Sequence, residues 1–411
     1  MKKRKRMGLL LACILFGFIL SGDITGYAFA QANEIRVGVI LPFTGAMAPF
    51  AELCKRGHDI ALEMWNEKGG FKSLKNAKAK YVYVDAQSDV QTGRTETEKL
   101  IIVDKVIGIT GAYASSVTYG ATEIAERYGI PFVVDTAVAD NILERGFKTT
   151  FRTCINSTMF SNLGWQIVKN VILPRWTGGE LKIGVIVENT LMGTSMAQGY
   201  KKSIEKEPKT KLVLFDAYDP KSSDLSAIVL KIKSVRPDII MCSQYISDAI
   251  LLNNQMFELG VSLKARVGVG AGYTIPEFIQ GAGKNVENVF AGTGWNYDVN
   301  PKGYPGIKEY VQRYQEKYKA LPEQHSALSL AASLTLFDAI ERAGSTDGEK
   351  ILQALEKTDL QTAGGPVKFD KNHQNIVASQ VAMQIQKGNF VTVWPDQAAA
   401  GKVIFPATGP K

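Results

Sequence analysis

Five short stretches of this 411-residue chain carry the residues whose types and spacing could do chemistry. Gly111-Ala112-Tyr113-Ala114-Ser115-Ser116 is a glycine turn running into a helix start with two hydroxyls. The first N–H groups of a helix have no intrahelical partner and carry partial positive charge, so such a terminus suits an anion, above all a carboxylate. Ser115 reads equally as an N-cap whose hydroxyl serves only the helix. Asp135-Thr136-Ala137-Val138 adds hydroxyl and backbone donors, and two such stretches side by side favour the ligand reading. Further along, Glu188-Asn189-Thr190-Leu191-Met192, Ser243-Gln244-Tyr245 and Gly268-Val269-Gly270-Ala271-Gly272-Tyr273 are their counterparts.

Other chemistries fail on spacing. Gly268 and Gly270 would need a third glycine where Tyr273 stands, so the dinucleotide fingerprint is broken. There is no phosphate-loop lysine and no G-x-S-x-G serine. His58, His325 and His373 are isolated, with no second ligand three or four residues on, and read as core or surface histidines. Cys54, Cys154 and Cys242 lack C-x-x-C spacing; they read as buried thiols, with one disulfide among them left open. Neither a metal nor a cofactor is expected, and no catalytic constellation remains.

The elements that must position these stretches follow from periodicity. Apolar strands at Ile35–Leu41, Tyr81–Val84, Val106–Thr110 and Pro131–Val134 alternate with helices over 91–104 and 115–128. A helix with the stripe Leu53, Gly57, Ile60, Ala61, Met64 and Trp65 follows the first strand and stops at Gly69-Gly70. A second series begins after Phe151-Arg152-Thr153, with helices over 157–173, 194–206, 222–235 and 247–259. Its strands are Leu181–Val187, Lys211–Phe215, Ile239–Cys242 and Arg266–Val269. The pattern predicts an α/β fold of two doubly wound parallel-sheet lobes, with ligands outside the carboxyl ends of the strands. The last third, with helices near 305–319, 325–343 and 347–357 and β runs at 289–291, 367–369, 379–385 and 390–393, is expected to complete both sheets. The domain reading is residues 31–155 plus 291–376 for the first lobe, and 156–290 plus 377–411 for the second.

Residues 1–30 read as an export signal. A basic start (Lys2 to Arg6) precedes the apolar run Leu9–Leu20, and Ala28-Phe29-Ala30 ends it as a cleavage site after Ala30. The rival lipoprotein box Leu10-Leu11-Ala12-Cys13 would split the apolar run. The whole chain has 48 basic and 40 acidic residues; without the signal the balance is 43 to 39, or +4. No dense basic cluster is interleaved with aromatics, so no nucleic-acid partner is expected. The expected product is a periplasmic or otherwise extracytoplasmic monomer.

The ordered set Ile35-Arg36-Val37-Gly38-Val39 with Thr44-Gly45, Asn66-Glu67-Lys68-Gly69-Gly70, Gly111 to Ser116, Gly129-Ile130-Pro131 and Phe151-Arg152-Thr153 resembles the leucine/isoleucine/valine-type (type I) periplasmic binding proteins. The resemblance implies a clamshell with a three-crossover hinge. It also implies a small-molecule solute in the cleft and delivery to the permease and ATPase subunits of an ABC importer. The alternative output is a sensory protein that signals to a membrane receptor or regulator.

Carried over by position, Ser115 and Thr136 would hold a ligand carboxylate, with Ser116 and Ala137 beside them. Phe50 would pack on the ligand, and Tyr245 would stand near an ammonium. Departures fall on Val138 and Met192, where the family has a threonine and an aromatic. They also fall on Gly268–Gly272, where its ammonium-pairing acid would lie; Gly270 and Tyr273 are expected to line this side. A buried ammonium without a carboxylate is costly, so either Asp135 or Asp248 substitutes or the solute lacks an α-ammonium. The second is favoured: a carboxylate-bearing solute, branched-chain amino acid-like or aromatic. The glycines would widen its pocket, and Tyr113 and Trp295 could join the wall.

Overall fold

The computed structural model describes residues 34–299 and 305–408; the segment read as an export signal, with its expected cleavage after Ala30, lies outside the described residues. In the first lobe the chain runs β1 (Glu34–Leu41), α1 (Ala48–Glu67), β2 (Lys78–Asp85), α2 (Val90–Ile102), β3 (Ile109–Gly111), α3 (Ser115–Tyr128), β4 (Phe132–Val134) and β5 (Thr150–Arg152). These strands form one sheet in the order β2-β1-β3-β4-β5, every pair parallel. Val37 to Leu41 are buried without a break, the signature of a strand covered on both faces.

The second lobe opens with α4 (Ser157–Gln166), then β6 (Leu181–Glu188), α5 (Leu191–Lys206), β7 (Thr210–Tyr218), α6 (Ser226–Val235), β8 (Ile239–Ser243), α7 (Ile246–Glu258), β9 (Ala265–Val269), α8 (Pro276–Ala282) and β10 (Phe290–Thr293). The last third adds α9 (Ile307–Tyr318), α10 (Gln324–Ala343), α11 (Gly348–Glu356), β11 (Asp359–Thr362), β12 (Gly365–Lys368), β13 (Val381–Gln386) and β14 (Asn389–Trp394). The second sheet has seven strands in the order β14-β13-β10-β9-β8-β6-β7. Only β13 and β14 join it antiparallel.

The expectation that the last third completes both sheets is met on one side only. β10, β13 and β14 all enter the second sheet, while β11 and β12 pair with each other as a hairpin. The first lobe receives helices instead, because α10 packs along α1 and beneath β3 and β4. Two differences are local. β3 is shorter than read: a left-handed Lys105 turns the chain just before it, and the ladder proper starts at Ile109. Phe151-Arg152 is a fifth strand rather than a connection.

The chain passes between the lobes three times: after Arg152, after Thr293, and between Lys368 and Val381. The first and third passages are laced together. Arg152 N–H bonds to the His373 carbonyl and Asn375 N–H to the Arg152 carbonyl, each at 3.0 Å. The Arg152 side chain donates to Gln374 Oε1 at 2.7 Å and to the Ala139 carbonyl at 2.7 Å. Phe151 stacks on His373 with ring centres 3.9 Å apart. Cys54, Cys154 and Cys242 are all buried free thiols. No helix among the described residues is long and apolar enough to cross a membrane.

α1 and α10 approach closely because Gly57 has no side chain. A Cβ there would stand 1.8 Å from the Ser326 carbonyl oxygen. Gly57→Ala must therefore push two core helices apart, and we expect a loss of about 3 kcal/mol of stability in urea unfolding, at the upper end of core overpacking. A midpoint unchanged from wild type would refute this contact.

Candidate functional site in the interlobe cleft

Each sheet reverses its strand order once beside its first strand: between β1 and β3 in the first lobe, and between β6 and β8 in the second. Such switch points open a crevice at the carboxyl ends of the strands, and here the two crevices face each other. Gly111 shapes the first. Its φ is +125°, and a Cβ would come within 2.1 Å of the Ile40 carbonyl oxygen, so only glycine fits. Tyr113 follows with a left-handed φ of +66°, a conformation that costs a non-glycine residue about 1 kcal/mol or more.

α3 begins at Ser115 with Ala114 in the capping position and no side-chain cap. Ser115 is thus not the N-cap; its hydroxyl instead accepts the Ala139 N–H at 3.3 Å. Tyr245 reaches across from the second lobe, its ring centre 6.1 and 6.0 Å from those of Phe50 and Tyr113.

A cavity of about 30 Å³ lies between the lobes. That is room for little more than a water molecule or two, so a solute must part the lobes to enter. Of the residues expected at the site, Ser115, Thr136 and Val138 line it from the first lobe, and Met192, Tyr245 and Gly270 from the second. Tyr113 joins them, as do Phe160, Met196, Gln324, His325 and Leu328, which the sequence reading did not place there. Met196 stands one helical turn after Met192, so the α5 periodicity could have found it. The α10 residues open the helix read at 325–343, just after Pro322-Glu323.

Four expected residues lie elsewhere. Phe50 is fully buried behind the wall, stacked on Tyr113 at 4.6 Å. Ser116 faces solvent, one position around α3 from Ser115. Ala137 is buried beneath the cavity, where its carbonyl accepts from Arg152 at 3.4 Å. Tyr273 is buried in the second lobe and donates to Gln244 Oε1 at 2.5 Å.

Gly268 and Gly272 do not widen the pocket. A Cβ on Gly268 would lie 2.0 Å from the Tyr273 ring, and one on Gly272 2.6 Å from Ile246, so these two make room for protein. Trp295 is also turned away, its indole N–H bonded to the Ala363 carbonyl at 2.9 Å.

No carboxylate is among the residues lining the cavity. Asp135, one candidate partner for an ammonium, is fully buried. It accepts from His58 at 3.3 Å, Ser329 at 2.8 Å and the Thr136 N–H at 2.7 Å. Burial pushes its carboxyl up, but His58 and these hydroxyl donors outweigh that and hold it below the usual range. Asp248 lies behind the wall beside Tyr218, and burial pushes it up. Glu188 ends β6 and accepts from the Tyr245 N–H at 3.1 Å and the Thr190 hydroxyl at 3.0 Å. Among the described residues, no cluster of metal-ligating side chains exists.

Two sheets joined by three passages, with a mostly apolar cavity at facing switch points, define a two-lobed binding protein. The family model described as "Periplasmic binding protein" matches residues 34–389, and the chain belongs to that family. It is 32% identical over 400 residues to Leu/Ile/Val-binding protein homolog 7 of Brucella suis, covering 95% of this chain and 99% of that protein. Homolog 8 of the same organism is 31% identical over 404 residues, 96% and 99% of the two chains. Among solved structures, a leucine-binding protein from Thermotoga maritima superposes with a TM-score of 0.78 at 25% identity, covering 88% of this chain and 98% of that one. A Rhodopseudomonas palustris solute-binding protein in complex with benzoate gives 0.76 at 21% identity, covering 90% and 98%. The family consists of solute-binding proteins, and this chain is one of them rather than an enzyme.

Burial, with Asp248 nearby, pushes the Glu188 carboxyl up to about 8. The folded protein thus favours the protonated acid, and its contribution is complete below the carboxyl's ordinary range and lost as pH rises towards 8. Stability measured by urea unfolding should therefore fall between about pH 5 and 8, and Glu188→Gln should flatten that fall. Equal slopes in the two proteins would refute the assignment.

Proposed function

We propose that this protein captures a small carboxylate-bearing solute lacking an α-ammonium, an aromatic acid before a branched-chain amino acid. After export it would hand that solute to the permease and ATPase subunits of an ABC importer. The observation that carries the reading is a cavity with a helix N-terminus at one wall and no carboxylate in its lining. The α3 terminus suits the solute's carboxylate. An ammonium group would meet no fixed negative charge there and would pay its desolvation uncompensated.

The apolar wall of Val138, Phe160, Met192, Met196 and Leu328 suits the body of the solute. Methionine adapts to ring edges, which favours an aromatic body. The same fold binds benzoate in the Rhodopseudomonas palustris protein and isoleucine in a Streptococcus pneumoniae relative, so it takes either class. The solute would dock on Ser115 and Thr136. Tyr245 and Gly270 would then close over it. Closure excludes water and presents one shape to the importer.

Thermal shift of the mature protein against benzoate, 4-hydroxybenzoate, leucine and isoleucine tests this. An aromatic acid at about 100 times its Kd should add about 2.7 kcal/mol of stability. Ser115→Ala should weaken it by about 1–3 kcal/mol. Leucine stabilising as well as any aromatic acid would overturn the preference, and unchanged affinity in a folded Ser115→Ala would overturn the docking site.

A further inference from the structure

His325, read from sequence as an isolated histidine, lines the cavity while only 4% exposed. Its Nδ1 lies 2.7 Å from Glu323 Oε2. Glu323 caps α10, accepting the backbone N–H groups of His325 at 2.6 Å and Ser326 at 2.8 Å. Burial pushes the Glu323 carboxyl up, but His325 and these two N–H groups outweigh that and hold it below the usual carboxylate range. A fixed negative charge therefore sits directly behind the ring.

Two aromatic rings flank it: Tyr113, which lines the cavity, and Phe50 behind the wall, 5.6 and 5.3 Å from the imidazole. The remaining titratable groups around the pair are Cys54 from α1, Tyr113 and Tyr245 from the cleft, and Tyr310 and Tyr314 from α9. Burial pushes every one of them up, so they carry no charge near neutral pH. Beyond them, Asp135 is committed to His58, Ser329 and Thr136, and Glu188 to Tyr245 and Thr190.

We propose that His325 is the specificity-determining residue of the cleft, a proton-linked selector that admits carboxylates in its protonated form. With Nδ1 tied to Glu323, Nε2 is the nitrogen left to address a solute. A protonated ring donates Nε2–H to a solute carboxylate and so stands between two anions. A neutral ring with Nδ1–H given to Glu323 offers that carboxylate only a lone pair. Capture of a carboxylate then takes up a proton from solvent, and affinity falls as pH rises. This inference rests on the carboxylate reading above and adds to it which charge does the selecting.

Isothermal titration of the mature protein with benzoate, from pH 5.5 to 8.5 in two buffers of different ionisation enthalpy, tests it. Wild-type affinity should fall by up to about tenfold per pH unit, as expected for one proton taken up with the ligand. The buffer dependence of the heat should report net proton uptake. His325→Asn and His325→Gln should both lose the pH slope and the uptake, and Glu323→Gln should move the fall to lower pH. A wild-type affinity flat in pH overturns the proposal without any variant, as does a wild-type slope kept in folded His325→Asn. In both cases benzoate still binds and the carboxylate reading stands. Absence of binding to benzoate and to every other carboxylate at all pH values overturns that reading, and this inference with it.

Discussion

The buried carboxylate of Asp135 is the tie on which the first lobe's half of the cleft depends. It sits at the carboxyl end of β4 and gathers donors from three places: His58 on α1, Ser329 on α10, and Thr136 beside it. His58 is itself backed by Ser333, which Tyr81 also reaches, so the tie runs on through α10 to β2. A charge buried this deeply persists only when its lone pairs are met, and meeting them fixes two helices against the sheet. Thr136 projects into the cavity from a backbone that Asp135 holds. The acid shapes the site without entering it.

The close contact of α1 with α10 belongs to the same constraint. Ser326, Ser329 and Ser333 are fully buried along α10, and Gly57 lets α1 come near enough for His58 to reach the Asp135 carboxylate. The same approach brings the start of α10 to the cleft, and with it Gln324, His325 and Leu328. Gln324 is spent on structure, accepting from Thr293 and donating to Thr274, each at 2.5 Å. The polar surface left to a solute is therefore small: a helix end, hydroxyls and one imidazole.

Much of this was legible in the sequence, because the strands are apolar without interruption and the helices start and stop at strong signals. α3 begins at Ser115 and ends at Tyr128, as its turn residues imply, with Gly129 in the left-handed cap position. The strand-end rule led directly to Ser115, Thr136, Val138, Met192, Tyr245 and Gly270. It misplaced Ser116 and Ala137, since neighbours on a helix or loop point in different directions. It missed Gln324 and His325 because their place depends on how α10 threads under the first sheet, a contact made over hundreds of residues. Gly268 and Gly272 misled for a related reason: the space they leave is filled by Tyr273 and Ile246, which sequence alone cannot place.

The Arg152 lacing has a mechanical consequence. Strands held by ladder bonds on both sides of a crossing, with an arginine and a ring stack besides, do not slide past one another. Opening of the cleft is then left to torsion in the short spans beside the ladder, 153–156 and 376–380, and to the second passage, after Thr293. The two lobes are left with a door's single degree of freedom rather than a sliding bolt's, so the cleft's two walls should meet in the same register each time they close.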